Sequence, residues 1–443
     1  MIEISEKIAS LVRQEGGTAY YVGGCVRDRL RNVESKDIDI EIHGLSPETV
    51  ENILDSLGHR RSMGESFGIY SLDGYDVDIA LPRKEKCCGR GHRDFDVLVD
   101  PFIGEEKAAI RRDFTINALY ENILTGEILD FFGGREDIEK GVIRHINDET
   151  FSEDPLRVLR GCQFAARFNY TIAPETVALC SKMHLEALAK ERIMGESEKA
   201  LLKADRPSIF FTALKEMGQL SYWFPEVEGL IGIEQNPRFH AEGDVFNHTM
   251  LVLDECVKFR EKAAYPLGFM FSALCHDFGK AVATEVVKGE IHAYGHEFMG
   301  LDLTENFMSR LTSNKKLKEY VLNLSKYHMK PNAMILAGSK IKSTNKLFDK
   351  AIDPEGLIYL ATADAAGSIS KEKKESLLAP LFERYEIYKE YMARPFVTGK
   401  DLIRAGVEPG EKFSELLEEA HSLRLAGVNK KAALRMVLGM AQM

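Results

Sequence analysis

YYVGGCVRDRLRNVESKDIDIEI, residues 20–42, decides the fold. It reads as an apolar strand running into Gly23-Gly24, a helix that begins with Arg27 and Asp28, and a second strand over 36–42. Glycines at a strand end let backbone N–H groups approach phosphate oxygens, and the helix N-terminus that follows favours negative charge. A plain turn is the alternative. In KDIDIEI side chains alternate between faces, so Asp37 and Asp39 project together while Ile38 and Ile40 turn to the core. Two neighbouring carboxylates repel unless a cation joins them. A pair of Mg²⁺ ions held there could activate an attacking hydroxyl and stabilise a leaving pyrophosphate. An edge strand with a polar outer face would carry the same pattern. Asp78, in YDVDIALPR (75–83), shares its strand phase with Asp76 and is either a third catalytic carboxylate or a solvated one.

Working outward, residues 1 to about 145 are mixed α/β. An amphipathic helix ends at Gly16-Gly17, and β-type runs follow at TAYYVGG, DIDIEIHG, FGIYSL and YDVDIAL. From about 146 the apolar spacing becomes helical, as in PLRVLRGCQFAARF and ERIMGESEKALL. The expectation is an α+β protein with a small mixed β-sheet in an N-terminal head (1–145), a helical neck (146–235), a helical domain (236–390) and a helical tail (391–443). The joints fall at HINDETFSED (145–154), LIGIEQNPRFHAEGD (230–244) and GSISKEKKESLLAP (367–380).

The formal net charge of -11 argues against a protein that coats nucleic acid, though it leaves room for a local basic groove. Seven cysteines without a CxxC pair fit reduced thiols of the cytoplasm better than a disulfide frame. No apolar run approaches the roughly 18 residues of a membrane span.

A second group of residues has the composition of a metal centre. His248 lies in VFNHTMLVLDE, His276 and Asp277 in FSALCHDFGK, His296 in YGHEFMG, His328 in SKYHMKP and Asp364 in YLATADAAGS. A lone histidine is more often packed or on the surface, but a helical bundle can focus distant His and Asp side chains on an ion.

GGCVRD (23–28), the D-x-D strand, RRDFTINAL (111–119), DFFGG (130–134) and EDPLRVLR (153–160) resemble, in order and spacing, the bacterial class II CCA-adding enzyme and poly(A) polymerase family of nucleotidyltransferases. The resemblance implies a nucleotidyltransferase head and attack of a tRNA 3′-hydroxyl on the α-phosphate of CTP or ATP. It implies metal-holding Asp37 and Asp39, with Asp78 as a further catalytic candidate. Gly23, Gly24, Arg27, Arg111, Arg112, Asp113 and Asn117 would contact nucleotide, Asp154 and Arg157 would read the base, and Arg160 would reach the triphosphate. An i, i+3 ion pair on a helix surface is the alternative for Asp154 and Arg157. The family usually has a further arginine where this chain has Gln163, which adds no charge. The loop PRKEKCCGRGHRDFD (82–96) resembles one that moves during nucleotide choice, and its Arg83, Lys84, Arg90 and Arg93 suit an RNA end. Arg192, Lys199, Lys203 and Arg206 are candidates for a basic stripe facing RNA.

The ordered histidines and aspartates are similar to the HD-type metal-dependent phosphohydrolases. That resemblance implies one ion on His248, His276, Asp277 and Asp364 and a second completed by His296 and His328, with Ni²⁺, Co²⁺ or Mn²⁺ as candidates. Such a site suits removal of 3′ or cyclic phosphates from damaged RNA ends. PFVTGKDLIRAGVEPGEKFSELLEEA (395–420) resembles the tail of HD-containing CCA-adding enzymes. The rivals are a poly(A) polymerase or an enzyme adding only C or only A, a non-catalytic RNA-binding protein, and a nucleotidase that uses the head as a sensor.

Overall fold

A computed structural model describes residues 2–34, 37–62, 68–87, 95–237, 242–368 and 371–441. Of the basic loop, the side chains of Lys84 and Cys87 and the whole of Cys88, Arg90 and Arg93 lie outside the described part. The chain divides into two compact units, Met1–Ala200 with Ile209–Trp223, and Leu201–Ser208 with Phe224–Met443.

In the first unit the period-two pattern of 36–42 becomes a central strand of a sheet. The elements are α1 (Ile2–Gln14), β1 (Thr18–Val22), α2 (Gly24–Leu30), β2 (Ile38–His43), α3 (Pro47–Leu57), β3 (Arg60–Ser62), β4 (Ile69–Leu72) and β5 (Val77–Ala80). A hairpin of β6 (Arg83–Cys87) and β7 (Phe95–Val99) pairs apart, and β8 (Tyr120–Asn122) and β9 (Ile128–Leu129) complete the sheet. Its order is β3-β4-β5-β2-β1-β8-β9, with β2 and β5 parallel and the other pairs antiparallel, a mixed sheet as expected. Ile38, Ile40 and Ile42 join Ile4, Ile8 and Val12 of α1 and Val50 and Leu54 of α3 in one apolar core. The opposite face of β2 is thereby left to Asp39, Glu41 and His43.

Part of the polar stretch 145–154 is helical. Within the expected joint 145–154, Asp148–Ser152 is a helix capped by Asn147, and its Phe151 is fully buried. Phe151 packs edge-on against Phe114, which also meets Phe164 of α4 (Leu156–Phe168). The short helix Pro174–Cys180 and then α5 (Lys190–Lys203) follow. The expected basic stripe is largely neutralised: Arg192 pairs with Asp154, Lys199 with Glu196, and Arg206 with Asp254 of the second unit to which it belongs.

The second unit is helical apart from a small hairpin, β10 (Glu285–Val287) and β11 (Glu290–His292). Its site is built on α6 (Val245–Cys256), α7 (Pro266–Cys275), α8 (His296–Met299), α9 (Lys315–Tyr327) and α10 (Pro354–Ser368). The expected joint 367–380 is partly helix, since Lys371–Ala393 is continuous through Pro380. In the tail, TGKDLIRAG forms a capped helix: Thr398 and Asp401 make a reciprocal capping box on Gly399–Arg404. Among the described residues no helix is long and apolar enough to cross a membrane.

Candidate active site and candidate metal centre

The first site forms where β1 turns into α2 beside the polar face of β2. Gly23 has φ +70°, and a Cβ built there would lie 3.2 Å from Arg112 Nη1 and 3.6 Å from Asp39 Oδ2. The left-handed backbone favours glycine, and the bare Cα lets the turn lie close to Arg112 and the Asp39 carboxylate. Asp39 lies directly opposite Asp78 in the parallel β2–β5 register, so the two carboxylates share a face. Burial pushes the Asp39 carboxyl up, Arg112 opposes that, and Asp78 and Asp37 add to it. Like charges held side by side on a half-buried strand fit a divalent cation, which relieves both the repulsion and the lost solvation. Asp37 and Asp78 are exposed at the open edge of this group.

RRDFTIN supplies the other wall. Arg27 Nη1 donates to Asn117 Oδ1 (2.7 Å), Asn117 Nδ2 donates to Asp113 Oδ1 (2.9 Å), and Arg160 donates twice to Asp113 Oδ2 (2.8 and 2.6 Å). The chain Arg27–Asn117–Asp113–Arg160 ties α2 to α4 through the motif between them. Burial alone would raise Asp113, but Arg160 and Asn117 outweigh it and hold its carboxyl below the usual range. Arg27 also packs over Phe168, 4.6 Å from the ring centre.

The side chains of Asp154 and Arg157 are both engaged by other segments. Arg192 donates to both Asp154 oxygens (3.3 and 2.9 Å), while Arg157 donates to the carbonyls of Thr150 and Arg111 (2.7 Å each). Arg111 itself donates to Glu153 (3.0 Å). Gln163 is buried, and its amide nitrogen has no hydrogen-bond partner.

Sequence reasoning passed over Glu41. Its carboxylate accepts from Arg112 Nη2 (2.9 Å) and Tyr120 Oη (2.9 Å) and lies 2.8 Å from His43 Nε2. The signal was present, because Glu41 continues the phase of Asp37 and Asp39, but Arg112 and Tyr120 are 71 and 79 residues away in sequence.

The second site collects its six residues around Asp277. On one side its Oδ2 lies 3.2 Å from His276 Nε2 and 3.6 Å from His248 Nε2; on the other its Oδ1 lies 3.2 Å from His296 Nε2 and 3.8 Å from His328 Nε2. Asp364 Oδ1 is 3.0 Å from His248 Nε2 and 3.8 Å from His276 Nε2. The ligand atoms form two groups, His248–His276–Asp364 and Asp277–His296–His328, with Asp277 between them.

The outer nitrogens explain the aim of the inner ones. His276, His296 and His328 each place Nδ1 2.7 to 2.8 Å from the carbonyl oxygen three residues earlier, and His248 Nδ1 lies 2.8 Å from Glu242 Oε1. Donation from Nδ1 leaves the Nε2 lone pair pointing inward, the arrangement that orients metal-binding imidazoles. His276 Nε2 is buried and has no hydrogen-bond partner among the described residues, while Asp277 Oδ2 is held by charge beside Lys280. Imidazole nitrogens and carboxylate oxygens converging in this way fit one or two divalent ions. Burial disfavours charge on His248, yet Asp364 and Glu242 raise it to about 9; burial and neighbouring His276 push His328 down to about 3. Glu242 and Lys280, 2.7 Å from Asp277 Oδ2, were not singled out in the sequence, although Lys280 stands one helical turn beyond Asp277.

Residues 19–144 match the family model of the Poly A polymerase head domain, and 169–230 match the "Probable RNA and SrmB- binding site of polymerase A". The Multifunctional CCA protein of Actinobacillus pleuropneumoniae is 33% identical over 423 residues, covering 92% of this chain and 98% of that protein. That of Haemophilus ducreyi is 36% identical over 318 residues, covering 70% and 74%. Among solved structures, a CCA-adding enzyme with ATP superposes with a TM-score of 0.68 at 21% identity, covering 100% of this chain and 94% of that one. The Thermotoga maritima CCA-adding enzyme complexed with tRNA gives 0.66 at 21% identity, covering 99% and 95%. At that identity the solved structures show a shared fold.

Proposed function

We infer the function from family and site together: the chain belongs to the bacterial CCA-adding enzymes, a family of nucleotidyltransferases that depend on divalent metal, and it adds C and A to tRNA 3′ ends from CTP and ATP. We assign the metal-holding role to Asp37 and Asp39, with Asp78 as the third carboxylate, and Mg²⁺ as the ion. The observation that carries this is the Asp39–Asp78 pair abutting the Gly23 turn. A divalent cation bound there supplies charge neutralisation for the triphosphate and for the attacking hydroxyl.

The protein's own groups do the positioning. The Gly23-Gly24 turn admits phosphate, and Arg112, Arg27 and Arg160 offer guanidinium donors around it. Asp113 and Asn117 orient Arg27 and Arg160 rather than leaving them to solvent. Arg111 sits beside the neck through Glu153. Asp154 and Arg157 present an acceptor and a donor fork for a base edge, as a template strand would. The domain reading that goes with this is a head (1–145), a neck (146–235), an HD domain (236–390) and a tail (391–443). Buried, unpaired thiols such as Cys25, Cys162 and Cys256 support a cytoplasmic setting.

The test uses transcripts lacking one, two or three terminal nucleotides, each incubated with labelled CTP or ATP and Mg²⁺. Completion to CCA and arrest there is the expected result. Long A tails would overturn the tRNA assignment in favour of a poly(A) polymerase, and loss of only one nucleotide type would reduce it to a C-adding or A-adding enzyme.

We assign a second activity, phosphoester hydrolysis, to the His/Asp centre. Four inward lone pairs around Asp277 support it, and an ion there would polarise a phosphoester and lower the pKa of a bound water. With Ni²⁺, Co²⁺ or Mn²⁺, the protein should open a 2′,3′-cyclic phosphate on RNA or release phosphate from its end. Turnover no greater than that of His276→Ala would remove this assignment.

A further inference from the structure

The segments that carry His296 and His328 also carry exposed rings that neither reaction above uses. His296 and His328, whose Nε2 atoms lie 3.3 Å apart, bring two segments together, 292–299 and 326–330. On the first, the His292 and Tyr294 rings stack at 4.8 Å with an interplanar angle of 11°, and Tyr294 is 67% exposed. Two residues beyond His296, Phe298 is 47% exposed. From the second segment, Lys330 Nζ lies 5.4 Å from the Phe298 ring centre and 5.0 Å from that of Tyr327, and Lys326 Nζ lies 5.6 Å from the Tyr327 ring centre.

We propose that this rim is a nucleobase-stacking subsite, in which Tyr294 and Phe298 hold the terminal base of an RNA whose 3′ phosphoester enters the metal centre. The inference rests on the hydrolase assignment for what the centre does and adds what it selects. His292 stacks on one face of Tyr294 and fixes the orientation of the ring, and the exposure of Tyr294 offers the rest of it to a base. Lys330 and Lys326 put positive charge beside the rings, where a nucleotide phosphate must pass to reach His296 and His328. A lipid surface or a hydrophobic peptide would want a continuous apolar face. Here Glu297, Lys330 and His292 are interspersed with the rings and with exposed Met299 and Met329, a mixture that suits a flat, polar-edged base joined to an anion.

The measurement is binding to the metal-loaded full-length protein of adenosine 2′-monophosphate against glycerol 2-phosphate, which has the phosphate without the base. Native protein is compared with Tyr294→Ala, Tyr294→Leu, Tyr294→Phe and Phe298→Ala. Tyr294→Ala and Tyr294→Leu should weaken the nucleotide about ten- to a hundredfold, Tyr294→Phe should keep it, and glycerol phosphate should be indifferent to all three. A nucleotide affinity unmoved by Tyr294→Ala, or an equal loss for both ligands, overturns the subsite. A 3′-phosphorylated oligoribonucleotide run alongside separates an RNA end from a free nucleotide as occupant, and a Tyr294-dependent response in either supports the platform. Stacking-dependent binding without hydrolysis of any cyclic phosphate would sink the hydrolase assignment alone. Hydrolysis with Tyr294-independent binding would sink the subsite alone.

Discussion

Glu41 follows Asp39 by two positions on β2, yet its carboxylate faces protein rather than substrate space, locked by Arg112, Tyr120 and His43. Burial pushes its carboxyl up, and those three partners outweigh it, leaving it at about 2. A carboxylate whose folded pKa is depressed contributes stability that is present above its unfolded value, near 4.5, and is lost as pH falls toward 2. The shift corresponds to about 3 kcal/mol. Glu41→Gln should therefore remove part of the acid sensitivity between pH 4.5 and 2, and should cost about 3 to 5 kcal/mol at neutral pH because Arg112 stays buried without its partner. Urea denaturation at pH 7, 4.5 and 3 checks this; native and variant curves that fall in parallel would show that Glu41 is not the titrating group. The i+2 phase of Glu41 was visible in the sequence. Its burial was not, because that depends on Arg112 and Tyr120 folding back over the strand.

At the scale of elements, glycines decide how closely motif-bearing segments approach. In DFFGG, Asp130 accepts from the backbone N–H of Gly134 (2.8 Å) and Arg135 (3.0 Å), capping the helix Gly134–Lys140. A Cβ on Gly134 would lie 2.3 Å from the Thr115 carbonyl oxygen, so the helix start is pressed against RRDFTIN. The same device recurs in HDFGK, where a Cβ on Gly279 would lie 1.9 Å from the His296 carbonyl oxygen. Since backbone must give way there, Gly279→Ala should shift α8 and its histidine. Expected are a loss of about 1 to 3 kcal/mol of stability and a lower metal content after dialysis, read by denaturation and by elemental analysis. Full metal occupancy with native stability would show that the contact between 279 and 296 is dispensable. These glycines are legible in sequence as part of a motif, while the carbonyl each one meets is supplied by another segment.

At the scale of the molecule, the carboxylates of β2 and β5 lie in one compact unit and the His/Asp centre in the other. Each site draws its ligands from its own unit, so the two chemistries should separate by mutation. Asp39→Asn should reduce nucleotide addition by at least about a hundredfold while phosphate release persists, since removing a metal ligand strikes the interactions made in the transition state. His276→Ala should do the reverse. Loss of both reactions in either variant would mean that the sites are coupled. By itself the sequence determined the mixed head and helical body, the period-two phase of 36–42 and the six His and Asp residues that the structure clusters, because strand phase, glycine turns and ordered His/Asp motifs are properties of local chain chemistry. Only the tertiary structure decided that Asp277 stands between the His248–His276–Asp364 group and His296 with His328, that Arg192 reaches back 38 residues to hold both oxygens of Asp154, and that 148–152 is a short helix that buries Phe151. Those outcomes depend on side chains tens of residues apart competing for the same charge or the same core space, a competition that no local pattern encodes.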